Sequence, residues 1–399
     1  MHVGVFIGDF KPEAGGGYTF VNDATEAFFS VAGESAHRFT LFCYPDAAAH
    51  LKKRALPSNV EIAALKPRGK LGWAVAALKH LSPTFSICWR RPGALERAAK
   101  RKGVDIVWFV GGFFDTLDMP YIANVWDVQH LTHPWFPEVS TRGKWEYKEA
   151  FISRHLRRAT RITTATQAGK TELMTFYRLQ EHRVRILPYP TPAFALNNYE
   201  HDARPILKKF GLPEKYLFYP AQFWAHKNHV NLLLAMDILR KRGGEVPHLA
   251  LSGSDKGNKA HVLKAAAQLG LSDYVHALGF VSVEELVTLY QNAQAMVYAS
   301  FSGPGNLPPL EALALRCPLA TAECPGASEQ LGNTAVYFDP HKPEAIADAI
   351  MNVLSDSAGT TQRVKRGLAR AQQWTGQHYV RALFTILDEF ETERRCWPA

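Results

Sequence analysis

The sequence predicts an α/β protein of two doubly wound parallel sheets, and three observations predict it. Short apolar runs of strand length alternate with helical patterns, about six strands to each half. The 399 residues exceed one ordinary domain and suit two of about 150–200 residues. Between the halves, Pro188, Pro190, Pro192 and Pro205 punctuate a stretch that continues neither pattern.

The first sheet is read at residues 2–8, 39–44, 106–110, 122–126, 161–165 and 183–187. The second is read at 216–220, 248–253, 275–278, 295–299, 319–321 and 335–338. These runs are mostly apolar, as strands covered on both faces are. From Thr375, an N-cap residue, a helix is expected to near Arg395. The expected division is therefore a first domain at 1–190, a second at 205–374, and a terminal segment at 375–399 packing back on the first. Ligands of open α/β sheets bind beyond the carboxyl ends of the strands. Two such sheets face each other across a cleft, so the loops after strands carry the functional reading.

With 47% hydrophobic and 21% charged residues the chain is globular. Its net charge of +9 asks for an anionic partner. Between Ala47 and Asp105 lie Lys52, Lys53, Arg54, Lys66, Arg68, Lys70, Lys79, Arg90, Arg91, Arg97, Lys100, Arg101 and Lys102, opposed by Glu61, Glu96 and Asp105. Such a patch serves an anionic membrane, an acidic substrate or nucleic acid, or is a solvated face that favours solubility. Five cysteines (Cys43, Cys88, Cys317, Cys324, Cys396) show no metal-ligand spacing and read as reduced thiols of a cytoplasmic protein. Residues 2–8 read as a buried strand, so no leader is expected, and no run approaches about 18 apolar residues. Any membrane association is expected to be peripheral.

Four segments carry chemistry. In residues 298–312 a strand ends near Ala299, a loop holds Gly303, Gly305 and Asn306, and a helix opens at Pro308-Pro309. Proline is tolerated in a first turn, and the amides of Gly305, Asn306 and Leu307 with the helix dipole read as an anion site. Glu311, one turn in, either accepts hydrogen bonds from a ribose diol or simply complements the dipole; spacing does not separate the two. In residues 217–229, Lys227 follows a strand and offers point charge to a diphosphate, or is a solvated loop lysine. Neighbouring His226 and His229 have no partner spacing for a metal, and no metal is expected. In residues 10–19, Gly15, Gly16 and Gly17 permit close approach to a phosphate or sugar, without the dinucleotide fingerprint spacing. In residues 124–137, Asp127 and His130 are a candidate pair for an acceptor hydroxyl, with Trp126, Trp135 and Phe136 as stacking faces; core aromatics and a loop-capping aspartate would look the same.

Together, Leu307-Pro-Pro-Leu-Glu-Ala312, the Phe218…Lys227-Asn228 loop and Leu278-Gly-Phe-Val281 followed by Glu284-Glu-Leu resemble the retaining glycosyltransferases of sequence family four. Asp127-Val-Gln-His130 and Pro220-Ala-Gln-Phe-Trp224 look like bacterial members that build O-antigen and capsule-type glycans. The resemblance covers nearly the whole chain and is stronger in the second half. It implies the GT-B fold, two doubly wound Rossmann-like domains facing an interdomain cleft. It further implies a nucleotide-sugar donor, GDP-mannose first with UDP- or dTDP-sugars as alternatives, and a glycan or lipid-linked oligosaccharide acceptor. Glu311 would bind the donor ribose and Lys227 the diphosphate. Phe280 and Val281 would meet the nucleobase, and Asn306, Leu307 and Gly15–Gly17 the sugar and phosphates. Three positions depart from the family: Gly303 stands at the first glutamate of E-x7-E, Gln222 at the phosphate-binding arginine and Trp126 at a histidine. The expected place of work is the inner face of a bacterial cytoplasmic membrane, with no nucleic-acid partner. A degenerate partner subunit and a sugar-nucleotide epimerase share the same plan.

Overall fold

The computed structural model describes residues 1–8, 15–65, 92–197, 199, 202–243 and 245–398. Residues Phe10–Ala14 of the glycine segment lie outside the described residues. So do Lys66, Arg68, Lys70, Lys79, Arg90 and Arg91 of the basic stretch, its aromatics Trp73, Phe85 and Trp89, and Cys88.

The first sheet contains β1 (His2–Gly8), β2 (Arg38–Cys43), β3 (Val60–Ala64), β4 (Ile106–Phe109), β5 (Tyr121–Asn124), β6 (Arg161–Thr164) and β7 (Val184–Ile186). Their spatial order is β3-β2-β1-β4-β5-β6-β7, all parallel. The second contains β8 (Tyr216–Pro220), β9 (His248–Ser252), β10 (Val275–Gly279), β11 (Ala295–Tyr298), β12 (Leu319–Ala322) and β13 (Val336–Phe338). Its order, β10-β9-β8-β11-β12-β13, is again parallel throughout. Twelve of these strands fall where the sequence places them. The unforeseen one is the edge strand β3, whose Val-Glu-Ile-Ala-Ala is only half covered. Its Glu61 accepts from Thr40 Oγ1 at 2.6 Å and from Lys102 Nζ at 2.8 Å, a polar edge that does not read as a buried run.

Period-two alternation sorts the first sheet's side chains into two cores. Val3, Val5 and Trp108 face one, and Phe6, Val107 and Phe109 face the other. The helices of the first half are α1 (Gly16–Val31), α2 (Pro45–Leu51), α3 (Ala94–Arg101), α4 (Gln129–Thr132), α5 (Pro137–Ser140), α6 (Lys144–Leu156) and α7 (Gln167–Tyr177). Those of the second are α8 (Arg204–Phe210), α9 (His229–Lys241), α10 (Lys259–Gln268), α11 (Val283–Asn292), α12 (Leu307–Ala314), α13 (Ala327–Leu331), α14 (Pro343–Ser355) and α15 (Ser357–Gln373).

The last helix, α16 (Gly376–Arg394), starts at Thr375, whose side chain and His378 form a capping box. Its Tyr379, Leu383, Phe384, Leu387 and Phe390 recur at helical spacing and join Val3, Phe28, Phe39 and Trp108 in one core. Burying each such side chain contributes about 1.5–3 kcal/mol. A Cβ on Gly376 would lie 2.8 Å from Ala27 Cβ, so glycine lets α16 lie close on α1. Ion pairs Arg381–Glu34, Arg394–Asp105, Arg185–Glu389 and Arg161–Glu393 fasten its polar side to the first half. Where the chain crosses between halves, the two crossings bind each other. Thr191 N donates to Trp374 O at 3.0 Å, and Trp374 Nε1 donates to Pro188 O at 2.8 Å.

Candidate functional site

Strand order reverses beside β1/β4 in one sheet and β8/β11 in the other, and the loops beyond those strands face each other. Between them lies a cavity of about 730 Å³. Gly15–Gly17, Asp127, Gln222, Lys227, Phe280, Val281, Gly305, Asn306, Leu307 and Glu311 all line it. His130 does not.

Gly15 sits at φ 67°, the N-cap of α1, with no side-chain cap. A Cβ there would lie 3.3 Å from Gln222 Nε2 in the opposite half, so both conformation and contact require glycine. The N–H groups of the 16-residue α1 begin at this point, at the positive end of its dipole. Across the cleft Gln222 is held by Trp224 Nε1, which donates to its Oε1 at 3.0 Å, and it donates from Nε2 to Ser254 Oγ at 3.1 Å.

Lys227 Nζ donates to Tyr298 Oη at 2.9 Å, and that hydroxyl donates to Asn306 Oδ1 at 2.7 Å. No carboxylate pairs with Lys227 among the described residues. Asn228 anchors the loop from a left-handed backbone, φ 60°, donating to Ala299 O at 3.0 Å and Pro340 O at 2.8 Å. His226 and His229 are otherwise engaged. His226 Nδ1 lies 2.5 Å from Glu138 Oε1 of the first half, and its N–H donates to the same oxygen at 2.9 Å. His229 is buried, stacked at 4.8 Å on Phe223, and burial holds it neutral with a pKa of about 3.

The segment after β11 corrects one expectation. Asn306 N–H is not open to an anion, because it donates to Gln330 Oε1 at 3.0 Å while Gln330 Nε2 donates back to Asn306 O at 2.9 Å. Pro308 and Pro309 have no N–H, so the start of α12 offers the amides of Gly305 and Leu307 alone from the expected set. Gly303 has φ 136°, and a Cβ on it would lie 2.5 Å from Asn306 Oδ1. A glutamate here would be strained by that backbone conformation and would have to displace the Asn306 side chain. Glu311 is 7% exposed at the cavity wall. Burial pushes its carboxyl up to about 7, against the 2.7 Å hydrogen bond that Tyr290 Oη donates to it.

Asp127 follows β5, its side chain 35% exposed. Burial would raise its pKa, but the Lys148 ammonium at 2.7 Å and the Gln129 N–H at 2.9 Å outweigh that and hold it near 2. The expected Asp127–His130 pair is not formed. The short α4 turns His130 toward the core that holds Phe6, Val107 and Phe109, where its Nε2 lies 3.1 Å from Glu149 Oε2 and 3.3 Å from Tyr177 Oη. It is fully buried and does not reach the cleft. Trp126 lines the cavity, whereas Phe136 does not and instead stacks on Phe301 of the second half at 5.8 Å.

Several groups at the site have no motif to announce them. Tyr298 and Gln330 order the donor-side loop. Glu329 reaches from α13 to accept from Gln167 N at 2.6 Å and Ala168 N at 2.9 Å, capping α7 across the interface. Glu172, on α7, shares a small recess with Asp127, Ser302 and Gly303; burial and then the Asp127 charge raise its pKa to about 7. Its helix reads as ordinary amphipathic sequence.

Elsewhere, Arg54, Lys100 and Lys102 of the basic stretch are paired with Glu26, Glu96 and Glu61. Among the described residues one grouping has three metal-ligand side chains close together, His37, Asp388 and Glu391. It lies by α16, away from the cleft, and the Met1 ammonium donates to Glu391 there at 3.1 Å. Among the described residues no helix is long and apolar enough to cross a membrane.

Residues 203–371 match the family described as glycosyl transferases group 1. The chain is 26% identical over 244 residues to O-antigen chain mannosyltransferase B of Escherichia coli, covering 61% of this chain and 64% of that one. Other curated relatives are spanned over about a quarter to a half of their length. Among solved structures, a glycosyltransferase from Rickettsia africae superposes with a TM-score of 0.69 at 14% identity, over 97% of this chain and 98% of that one. HepE from Anabaena, solved with UDP and glucose, gives 0.67 at 14% identity, over 98% of this chain and all of that one. Both superpose on both halves of this chain. Residues 203–371, which hold the second sheet, thus match the glycosyl transferases group 1, and the chain over nearly its whole length has the GT-B fold.

Proposed function

We propose that the protein is a retaining glycosyltransferase that moves a hexose, mannose first, from a nucleotide-diphosphate sugar to a hydroxyl of a growing, lipid-linked cell-surface glycan. The observation that carries this reading is the convergence on one cavity of a lysine with no carboxylate partner among the described residues, a glycine helix start and a buried glutamate, contributed by both halves. Residues 1–190 form the acceptor domain, 205–374 the donor domain, and 375–399 return to the first.

In this reading the nucleobase lies by Phe280 and Val281, and the ribose diol donates to Glu311. The diphosphate sits between Lys227 and the start of α1, with Gly305 and Leu307 amides at its side. Lys227 stabilises charge as the bond from the sugar C1 to the phosphate oxygen breaks. The acceptor oxygen bonds to C1 on the same face, and its proton passes to the leaving phosphate oxygen, which keeps the configuration. Asp127, held near pKa 2, is a poor base. Its role is to accept a hydrogen bond from the acceptor and orient it.

Lys227→Ala should lower turnover by about two orders of magnitude or more while leaving the melting temperature within a few degrees. Activity like that of the unaltered protein would refute the assignment. GDP-mannose is the first donor to try, since the E. coli relative is named a mannosyltransferase. A thermal-shift panel of GDP-, UDP- and dTDP-sugars identifies the nucleotide, because a ligand that binds the folded state raises its apparent stability. The +9 charge supports peripheral docking on an anionic inner-membrane surface. Co-sedimentation with anionic but not neutral liposomes is expected, and equal failure with both rejects it.

A further inference from the structure

Beside Asp127 the cleft meets a second cavity of about 670 Å³, lined by first-half residues. It shares Trp126 and Asp127 with the donor cleft. One wall is a shelf of three rings. Phe113 stacks on Phe151 at 5.4 Å and 24°, and Tyr147 stacks on Phe151 at 6.4 Å and 18°. Tyr147 and Phe151 are four residues apart on α6 and so share a face, while Phe113 comes from the loop after β4. Phe113 and Tyr147 are each 55% exposed, a large apolar area left to water.

The polar groups of this cavity are unequally matched. Its two carboxylates already have cationic or hydrogen-bonding partners, Asp127 with Lys148 and Glu138 with His226. Arg142 and Lys144 are exposed and have no acidic partner among the described residues. Glu146, the nearest other acid in sequence, pairs with neither. The cavity therefore presents flat rings and two uncompensated cations within a volume ordinary for a small ligand. Rings of this kind take the apolar face of a sugar, and arginine suits a phosphate through paired N–H donors.

We infer that this cavity seats an acceptor saccharide carrying a phosphate within one or two sugar units of its accepting hydroxyl. Arg142 and Lys144 hold the phosphate, and the Phe113–Phe151–Tyr147 shelf holds the sugar. The inference rests on the transferase reading and adds the acceptor's class to it. It also places the reaction: the step that supplies the acceptor attaches a sugar to a phosphate, and this enzyme acts close to that phosphate rather than at the far end of a long chain.

The test uses the full chain with its diphosphate site saturated by the nucleoside diphosphate that the thermal-shift panel selects. Isothermal titration compares methyl hexosides with the matching hexose 1-phosphates. The best phosphate should bind roughly tenfold more tightly than its neutral partner at low salt, and the advantage should shrink as salt rises. R142A/K144A should abolish the advantage and leave nucleotide-sugar binding and the melting temperature unchanged; Phe113→Ala should weaken the neutral and phosphorylated sugars alike. Equal affinities in the unaltered protein, no binding by any phosphate, or an advantage that survives R142A/K144A overturns the inference. So does a double variant that loses only its binding to phosphatidylcholine–phosphatidylglycerol vesicles, since its cations then serve a membrane. If no nucleotide sugar binds at all, the transferase reading itself fails; if one binds and the hexose phosphates are not distinguished, this inference alone fails.

Discussion

Glu311→Gln should make the protein less sensitive to pH while destroying nucleotide recognition. In the folded chain burial holds the Glu311 carboxyl at about 7, against an ordinary value of 4.5. Between those two values the folded state keeps a proton that the unfolded state has released. Stability therefore falls as pH rises from 4.5 to 7, and the loss is complete above 7. A shift of that size corresponds to about 3 kcal/mol, at about 1.4 kcal/mol per unit. Glutamine does not titrate, and its amide oxygen still accepts from Tyr290. Calorimetry of both proteins at pH 5, 6, 7 and 8 reads the difference directly. From pH 5 to 8 the unaltered protein should lose about 2.5 kcal/mol relative to E311Q, because part of the loss is already complete at pH 5; that is about 5–10 °C in the transition that includes the second sheet. Glu172, raised by the same kind of burial, titrates in both proteins and cancels in the comparison. A difference that stays constant across this range would refute the reasoning. A buried acid that destabilises its own domain at neutral pH is retained for what it binds, so E311Q should also lose the thermal shift given by the nucleotide.

Gly326→Ala should destabilise the donor loop by about 2–3 kcal/mol, because Gly326 has φ 88° and its Cβ would collide with Pro304 O; the melting temperature and the donor KM report it. Gly15→Ala combines a left-handed backbone with a contact to Gln222, and about 1–2 kcal/mol of strain should appear as weaker nucleotide affinity in titration. His130→Ala removes a buried hydrogen-bonded ring, so it should cost about 1–3 kcal/mol of stability in calorimetry. Its kcat should stay within a few-fold of normal at temperatures where the variant is folded.

The sheets were legible because parallel strands are apolar on both faces, as in Ile106–Phe109 and Ala295–Tyr298. The edge strand β3 was not, since one polar side carries Glu61. Lys227, Glu311 and the three glycines could be placed at the cleft because each follows a strand end, and the fold puts strand ends there. His130 also follows a strand end, but one turn of α4 decides which way its ring points, and no pattern in the sequence encodes that turn. The fate of the Asn306 amide depended on Gln330, 24 residues away on another helix. Glu172 reaches the recess beside Gly303 through tertiary packing alone, on a helix without functional signature.

The packing of α16 has a consequence for how the protein is made. The core face that holds Val3, Phe28, Phe39 and Trp108 is completed by side chains from residues 379–390. During synthesis the early sheet emerges with that face bare and waits while the whole second sheet is translated. At about 5–20 residues per second, the wait lasts roughly ten seconds or more. Residues 379–390 thus seal a sheet translated well before them. A nascent chain stalled before α16 should stay bound to chaperones although its donor half is already folded.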